Sequence, residues 1–272
     1  MQNSDQFVEG ILEIVEEAGK KYQGGVSVER KQFIPVTDSM PLETNVWWRI
    51  DDAVCVYIDM KNSTKLSAQE GDRVTAKIYQ YFTETAVRIL NHFGASYIDV
   101  RGDGAFGLFD RNKIYHALCA VITFKTIIFH EMKDVTQGDQ LMIESHAGMD
   151  INTVLVKRIG IRRAEGQSDK QNEVWAGKPV NMASKLASKG AGNELYISDR
   201  VFNIFTKDNS EMVMKTCGCA RGGQSAGKVD IWTAIDLQQE PIFDFKTAYK
   251  MQNTWCEEHG RDFCVGIINL DK

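Results

Sequence analysis

The chain has 272 residues, of which 43% are hydrophobic and 25% are charged, as in a globular protein with one large core. Lys and Arg total 32 against 37 Asp and Glu, so the net charge of -5 lacks the basic excess that indicates nucleic-acid binding. No apolar run approaches the roughly 20 residues that cross a bilayer, and the polar N-terminus does not resemble a signal peptide. We therefore expect a cytoplasmic protein with no membrane span.

Residues 5–22 predict an amphipathic helix that docks on the body of the protein or on a partner. Its apolar residues form one stripe at helical spacing: Phe7, Ile11, Ile14 and Val15. Residues 23–50 contain a Gly-Gly pair and two prolines, which predicts an irregular connection. This pattern divides the chain into an N-terminal helix and connection, a main domain and a C-terminal appendage, at residues 1–50, 51–236 and 237–272.

The main domain alternates apolar strands with helices. Strands are predicted at residues 53–59, 96–100, 105–109, 141–156, 174–175 and 194–198. Helices are predicted at about 70–92, 112–133 and 179–188. The second and third strands flank the tight turn Arg101-Gly102-Asp103-Gly104 and form a β-hairpin. This alternation predicts an α+β fold with helices on one face of the sheet.

Two carboxylates stand at the ends of predicted strands. Asp59 ends the first strand, and Asp103 is at the tip of the hairpin. If these strands are neighbours, both carboxylates project from one end of the sheet, where they suit Mg²⁺ or Mn²⁺. Residues that follow the first strand can present backbone N–H groups to phosphate at a helix start: Asn62, Ser63 and Thr64. Either aspartate alone also fits a helix cap or a turn, so neither decides the function.

Four segments occur in an order that resembles the class III adenylate and guanylate cyclase family: VCVYIDMKNSTKLS, YIDVRGDGAFGLF, HAGMDINTVLVKRIG and VWAGKPVNMASKLAS. The resemblance spans about residues 53–200. It implies the class III cyclase fold, with a ferredoxin-like βαββαβ core sheet, for a catalytic domain at 51–236. It also implies that Asp59 and Asp103 bind two Mg²⁺ or Mn²⁺ ions per active site, with the Met60 carbonyl as a further ligand.

The same resemblance assigns the transition-state residues. Asn181 orients the ribose, and Lys185 stands one helical turn later, where the family usually has Arg. Lysine supplies positive charge without the bidentate fork of arginine, and a solvated helix lysine is an equally good interpretation of Lys185. The family shares each active site across a head-to-tail dimer, with the metal carboxylates from one protomer and the base-reading and transition-state residues from the other. Because both residue sets are present in this chain, the resemblance implies a homodimer that acts on a nucleoside triphosphate.

The positions that select the base differ from those of purine cyclases. In place of the charged residues that read adenine, the chain has Tyr97, six residues before Asp103, and Val174, seven before Asn181. A tyrosine that narrows the pocket fits a smaller base, although Tyr97 also fits a core position. The combination resembles bacterial pyrimidine cyclases of anti-phage signalling (Pycsar), whose cyclic UMP or cyclic CMP is read by a separate effector protein. We favour UTP over CTP.

Three other enzyme or binding classes remain open at this stage. An adenylate cyclase with an atypical base pocket is the first, and a non-catalytic nucleotide-sensing pseudo-cyclase is the second. A diguanylate cyclase is the third, because RGDGAF faintly resembles the turn of that family. The missing second glycine and acidic pair, together with the VNMASKL segment, argue against it.

Weaker signals lie outside these motifs. The basic segment 157–172 predicts either a dimer arm or a solvated loop, and Lys228 after a Gly-rich loop is a triphosphate candidate. A second group of residues has spacing unlike standard zinc motifs and favours buried or idle thiols: Cys217, Cys219, Cys256, His259 and Cys264. His146 is predicted to have no catalytic partner.

Overall fold

The computed structural model describes residues 2–40, 42, 45–135, 143–161, 170–207, 211–217, 219 and 229–271. Its helices are α1 Gln2–Gln23, α2 Ser63–Gln69, α3 Asp72–His92, α4 Ile114–Val135, α5 Lys178–Lys189, α6 Asp199–Lys207, α7 Glu211–Met214 and α8 Gly260–Ile268. Its strands are β1 Ser27–Lys31, β2 Val46–Lys61, β3 Tyr97–Arg101, β4 Gly104–Phe109, β5 Glu144–Ile161, β6 Lys170–Gly177, β7 Glu194–Ser198, β8 Lys215–Thr216, β9 Val229–Asp230, β10 Thr233–Asp236 and β11 Thr247–Met251. Among these residues, we find no helix with the length and apolar character needed to span a membrane.

One mixed sheet organises the chain. Its strand order is β10-β11-β7-β5-β2-β4-β3, with β1 added parallel to β2 and β6 added antiparallel to β5. The long strand β2 is central, because it pairs antiparallel with both β4 and β5. The β2–α3–β3–β4–α4–β5 succession matches the predicted α+β core.

Successive side chains of β2 point to opposite faces of the sheet. Val54, Val56 and Ile58 are buried in the core cluster that also holds the inner residues of α3 and α4. Cys55 belongs to a second cluster on the opposite face, which includes residues of β4 and of α5. The expected layer of helices is thus α3 and α4, and α5 adds a helix to the opposite face. Asp59 shares the α5 face, because it is two pleats beyond Cys55.

The connection predicted over residues 23–50 is more regular than its composition indicates. It contains β1, and β2 begins at Val46 within the same stretch. The strand β1, SVERK, is largely exposed and has no apolar alternation that would reveal it. Its parallel pairing with β2, together with an Arg30–Asp51 ion pair at 2.7 Å, supplies the order that the sequence pattern lacks.

The predicted N-terminal helix is present as α1. Its apolar stripe is exposed, with Phe7 71% and Ile14 68% accessible in the single chain. The docking of this helix on a partner therefore stays a prediction.

The segment predicted as a C-terminal appendage contributes to the main sheet. Its strand β11 pairs with β7 on one side and with β10 on the other, so a boundary at 236/237 falls between two paired strands. Farther along, the Trp255 indole N–H donates to Thr123 of α4 at 2.9 Å. The Asp271 carboxylate accepts the backbone N–H of His116 in the first turn of α4 at 2.8 Å. Residues 237–271 are thus packed on the main domain.

Candidate active site

The two predicted metal carboxylates lie at the same end of the sheet. Asp59 is near the end of β2, and Asp103 is in the turn before β4, the strand that pairs with β2. A Cβ on Gly104 would come within 2.6 Å of Asp59 Oδ1, so the hairpin packs directly against that carboxylate. Burial raises the pKa of Tyr57, and the charges of Asp59 and Asp103 raise it further. Both carboxylates therefore lie near the Tyr57 hydroxyl.

His146 contacts Asp59 across the β2–β5 pair. Its Nε2 lies 3.2 Å from Asp59 Oδ2, and the two residues are register partners. Because an ionised carboxylate only accepts hydrogen bonds, His146 Nε2–H donates to Asp59. The His146 side chain is 8% exposed. The expectation that His146 lacks a partner of catalytic interest is therefore wrong, since its sequence environment did not reveal the β2–β5 register.

An aromatic row connects the carboxylate end of the sheet with the predicted base-selecting residue. Tyr57 stacks on Phe106 with ring centroids 6.4 Å apart, and Phe106 lies 5.9 Å from Tyr97. Tyr97 in turn contacts Trp175 of β6 at 4.6 Å. These four side chains are on the α5 face, with Phe106 and Trp175 buried and both tyrosines half-buried. They form a continuous apolar surface beside the carboxylates.

The structure places Tyr97 against Glu173. The Tyr97 hydroxyl donates to Glu173 Oε2 at 3.3 Å. Burial raises the pKa of Tyr97, and the charge of Asp99 raises it further, so the hydroxyl stays protonated. Val174 is 38% exposed, and its neighbours along β6, Glu173 and Trp175, are the residues that contact Tyr97. Because alternate residues of a strand face opposite sides, Val174 points away from the face that Glu173 and Trp175 share.

Helix α5 packs on the sheet with almost no space between the two backbones. A Cβ on Gly148 of β5 would come within 1.9 Å of the Ala183 carbonyl oxygen, so only glycine fits there. This close approach brings Ser184 within hydrogen-bonding reach of Tyr57, the tyrosine beside both carboxylates. Asn181 is exposed on the same helix, one turn before the half-buried Lys185.

Residues 240–244 hold the outer side of α5. Lys185 Nζ donates to the Ile242 carbonyl at 2.8 Å, and Lys178 pairs with Asp244 at 2.8 Å. Lys189 pairs with Glu240 at the end of the helix. The Lys185 ammonium contacts a neutral carbonyl here, so its positive charge is not neutralised by that partner.

The remaining residues that were predicted to bind the metal ions or the triphosphate lie in several different environments. The Met60 side chain is buried in the α3–α4 core, which leaves only its backbone carbonyl as a donor. Asn62 adopts a left-handed conformation with φ of 67° and turns the chain from β2 into α2. Ser63 and Thr64 occupy the first turn of α2, where backbone N–H groups have no partner inside a helix. Lys228 and the middle of the basic arm, residues 162–169, lie outside the described residues.

The donors beside Tyr57 suit Mg²⁺ or Mn²⁺, because both ions prefer oxygen ligands. The Asp59 side chain is 26% exposed, and its Oδ2 is held by His146 while Oδ1 faces the hairpin. The carboxylate is thus oriented by contacts and still open to solvent. With Asp103 on the adjacent turn, the two residues offer carboxylate oxygens to a divalent ion at this end of the sheet.

The fold, the paired carboxylates and the close-packed α5 together define a nucleotide cyclase catalytic domain. The sequence model described as the adenylate and guanylate cyclase catalytic domain matches residues 47–230. The chain belongs to this class III cyclase family and is a nucleotidyl cyclase, a phosphorus–oxygen lyase. Class III cyclases depend on Mg²⁺ or Mn²⁺.

Curated relatives and solved structures agree with that placement. The chain is 31% identical to a protein named uridylate cyclase from Propioniciclava tarda over 282 aligned residues, covering 100% of this chain and 87% of the relative. It is 30% identical to a uridylate cyclase from Micromonospora echinofusca, covering 86% of this chain and 75% of the relative. The fold is similar to the guanylyl cyclase Cya2, with a TM-score of 0.57 at 16% identity over 78% of this chain and 95% of that one. It is also similar to the adenylyl cyclase CyaB from P. aeruginosa, with a TM-score of 0.55 at 16% identity over 76% and 96%.

Proposed function

We propose that this cyclase converts a pyrimidine nucleoside triphosphate, UTP in preference to CTP, to its 3′,5′-cyclic monophosphate and pyrophosphate. The observation that carries the proposal is the contact of Tyr97 with Glu173 and Trp175, at the far end of the aromatic row that begins at Tyr57. The names of the two relatives of about 30% identity, both uridylate cyclases, support the choice of UTP.

The chemistry of Tyr97 and Glu173 fits the edge of a pyrimidine. A protonated hydroxyl donates, and a carboxylate accepts. Uracil offers an acceptor, O4, next to a donor, N3–H. On binding, the Tyr97 hydroxyl would turn its single proton from Glu173 to O4 and Glu173 would accept the N3–H, so the pair matches two adjacent atoms of the uracil edge. The Tyr97 ring, packed against Trp175, takes up volume that the second ring of a purine needs. Size therefore excludes purines, and the hydroxyl–carboxylate pair orients the smaller base.

The reaction needs the 3′-oxygen aligned with the α-phosphate. We propose that Asp59 and Asp103 hold two divalent ions with help from the Met60 carbonyl, and that His146 fixes the orientation of Asp59. When bound, Mg²⁺ or Mn²⁺ would stabilise the charge on the attacking and leaving oxygens of an in-line displacement. Residues 62–64 at the start of α2 would donate backbone N–H groups to the triphosphate. Lys228 remains a further triphosphate candidate.

Asn181 and Lys185 complete the site from a second protomer, which would also supply the base-reading Tyr97 and Glu173. Asn181 is exposed on α5, and Lys185 carries a charge that its carbonyl partner does not neutralise. We propose a head-to-tail homodimer in which Asn181 orients the ribose and Lys185 stabilises the developing phosphate charge. Among the similar structures is a guanylyl cyclase domain described as a non-canonical dimer, with a TM-score of 0.53.

Mixing two inactive variants tests the shared site. In the proposed dimer each active site takes Asp59 from one protomer and Asn181 from the other. A dimer of one Asp59→Ala chain and one Asn181→Ala chain therefore has one site with both changes and one intact site. Random exchange makes half of the dimers mixed, and about a quarter of wild-type activity should return. If each site is built within one chain, mixing restores nothing.

Substrate choice is tested by turnover of ATP, GTP, CTP and UTP with Mg²⁺ and with Mn²⁺, resolved by chromatography. We expect cyclic UMP as the main product and no turnover in Asp59→Ala or Asp103→Ala. Predominant cyclic AMP would replace the proposal with an adenylate cyclase of atypical pocket. Nucleotide binding without pyrophosphate release would replace it with a sensing pseudo-cyclase. We further propose a cytoplasmic antiviral role in which a separate effector protein reads the product.

A further inference from the structure

A cluster of three cysteines and one histidine lies outside the catalytic site. Cys217 and Cys219 follow β8, whereas Cys256 and His259 precede α8, so the four residues come from two distant parts of the chain. Their ligand atoms all lie within 4.8 Å of one another. We propose that these residues bind one structural Zn²⁺ ion.

Three of the six donor–donor distances in the cluster match the edges of a tetrahedral zinc site. With Zn–S bonds of about 2.3 Å and Zn–N bonds of about 2.0 Å, a tetrahedron has S–S edges of about 3.8 Å and S–N edges of about 3.5 Å. The sulfurs of Cys217 and Cys256 are 3.5 Å apart. His259 Nδ1 lies 3.4 Å from the Cys219 sulfur and 3.8 Å from the Cys256 sulfur. The four donors thus surround a position that a single ion fits.

A disulfide does not explain this arrangement. A disulfide bond needs sulfurs about 2.0 Å apart, and all six cysteines of the chain are free thiols. Three soft thiolates and an imidazole select Zn²⁺ over the oxygen-preferring Mg²⁺ and Mn²⁺ of the catalytic site. Four protein ligands leave no open position, which is characteristic of a structural zinc site rather than a catalytic one.

Surrounding groups support the ligands. The backbone N–H of His259 donates to the Cys256 sulfur at 3.2 Å, and the Thr216 hydroxyl donates to the Cys217 sulfur at 3.8 Å. Such donors reduce the negative charge that accumulates on metal-bound thiolates. His259 Nε2, the ring nitrogen not used in the cluster, lies 3.8 Å from the Glu258 carboxylate.

The ion would link two peripheral segments on the α4 side of the sheet. Next to Cys256, Trp255 is anchored to α4 through Thr123 and Thr126. The catalytic carboxylates are on the α5 face, so the cluster is separate from them. Zinc would therefore fasten the β8 end to the segment that precedes α8.

The full chain, purified without chelators or added zinc, should contain one zinc per chain by inductively coupled plasma mass spectrometry. Cys256→Ser should reduce zinc to background, whereas Cys264→Ser, a change at a cysteine of the adjacent helix α8 outside the cluster, should retain one zinc per chain. The double variant Asp59→Ala/Asp103→Ala should also retain one, which excludes binding at the catalytic carboxylates.

If Cys256→Ser does not fold, two experiments on the wild-type chain still test the zinc proposal. Titration with an organomercurial should release one zinc per chain, read with a metallochromic indicator. Replacement by Co²⁺ should give the thiolate-to-cobalt absorption bands of a tetrahedral sulfur site. A wild-type chain without zinc that gives no such bands, zinc that persists in Cys256→Ser, or a mass 2 Da lower from a disulfide would each overturn the proposal.

Discussion

Asp59 accepts a hydrogen bond from His146 across two neighbouring strands, with 3.2 Å between Oδ2 and Nε2. The imidazole is almost fully buried, so it cannot swing away without disturbing the sheet. One carboxylate oxygen is thereby fixed, and the orientation of the other follows. A residue 87 positions away in sequence thus orients the carboxylate that we propose as a metal ligand.

The first prediction concerns this contact. His146→Ala should raise the Mn²⁺ concentration at half-maximal activity by about 10- to 100-fold, because partners that orient metal ligands typically contribute that much to affinity. Metal titration of the initial rate measures it. His130→Ala, an exposed histidine on α4, is the matched control and should change nothing. An unchanged metal dependence in His146→Ala would show that Asp59 needs no such support.

The second prediction concerns the contact between β5 and α5. Gly148→Ala places a methyl group 1.9 Å from the Ala183 carbonyl oxygen, which forces the helix away from the strand. We expect a loss of unfolding free energy of about 2 kcal/mol or more, as in other overpacked cores. Turnover by the protein that remains folded should also fall, because Asn181 and Lys185 move with the helix. Urea denaturation and turnover measure the two effects.

Gly25→Ala is the control for that variant, since its Cβ would meet nothing within 4 Å. It should preserve both stability and turnover. A Gly148→Ala protein with wild-type activity would mean that α5 need not be held at this distance.

The third prediction tests the size of the base pocket. Tyr97→Ala removes the ring that lies 4.6 Å from Trp175, so purines should enter. The preference for UTP over ATP, as a ratio of kcat/KM values, should fall by about 10- to 100-fold, which is the usual range for steric discrimination. Tyr97→Phe keeps the ring and should still exclude purines. Purine turnover in Tyr97→Phe but not in Tyr97→Ala would contradict a steric mechanism.

The fourth prediction separates the orientation of the base by Glu173 from the exclusion of larger bases by the Tyr97 ring. Glu173→Gln keeps the shape of the side chain but removes the charged acceptor beside Tyr97. The kcat/KM for UTP should fall by about 10- to 100-fold, because hydrogen bonds to charged groups contribute about 1.5–3 kcal/mol. Val174→Ala is the comparison, since Val174 is an exposed neighbour on the same strand. A larger loss in Val174→Ala than in Glu173→Gln would return the base-reading role to Val174.

The fifth prediction concerns a buried lysine. Lys125 of α4 is fully buried, and its Nζ donates to the carbonyls of Met251 and Asn253 at 3.3 Å each. Burial lowers its pKa from 10.5 to about 7, although the charge of Glu194 opposes the shift. Between those two pH values the unfolded chain holds a proton that the folded chain lacks. The free energy of unfolding therefore rises with pH in this window, by at most about 1.4 kcal/mol per unit.

Comparison with Lys125→Met isolates that contribution. Between pH 7.5 and 9, the wild-type chain should gain about 2 kcal/mol of unfolding free energy relative to the variant. Urea denaturation at one protein concentration measures it. Lys65→Met, a change at an exposed lysine, should track the wild type across the same range. Parallel pH profiles for wild type and Lys125→Met would refute the assignment.

Local patterns predicted much of the fold. The strand β7 at residues 194–198 and the hairpin around Asp103 have the predicted bounds within one residue. Strong apolar periodicity and turn glycines identify such elements from short windows of sequence. The exposed strand β1 lacks that periodicity, so only its pairing with β2 reveals it.

The parts of the site that sequence reasoning missed all depend on contacts between distant segments. The role of His146 requires the register of β2 and β5, and the role of Glu173 requires the side of β6 that faces Tyr97. Counting back from Asn181 leads to Val174, one residue from the side chain that makes the contact. In the cysteine cluster, unusual spacing argued against a metal, yet folding brings residues 37 or more positions apart within 4.8 Å.

The participation of β11 in the sheet limits how far the chain can be shortened. A truncation at residue 236 would leave β7 paired only with β5 and expose a row of unpaired backbone groups along its other edge, a template for intermolecular strand addition. It would also uncover the apolar surface that Phe243 and Phe245 cover, and would remove the carbonyl that Lys185 contacts. Such a fragment should aggregate, even though it contains every residue matched by the cyclase family.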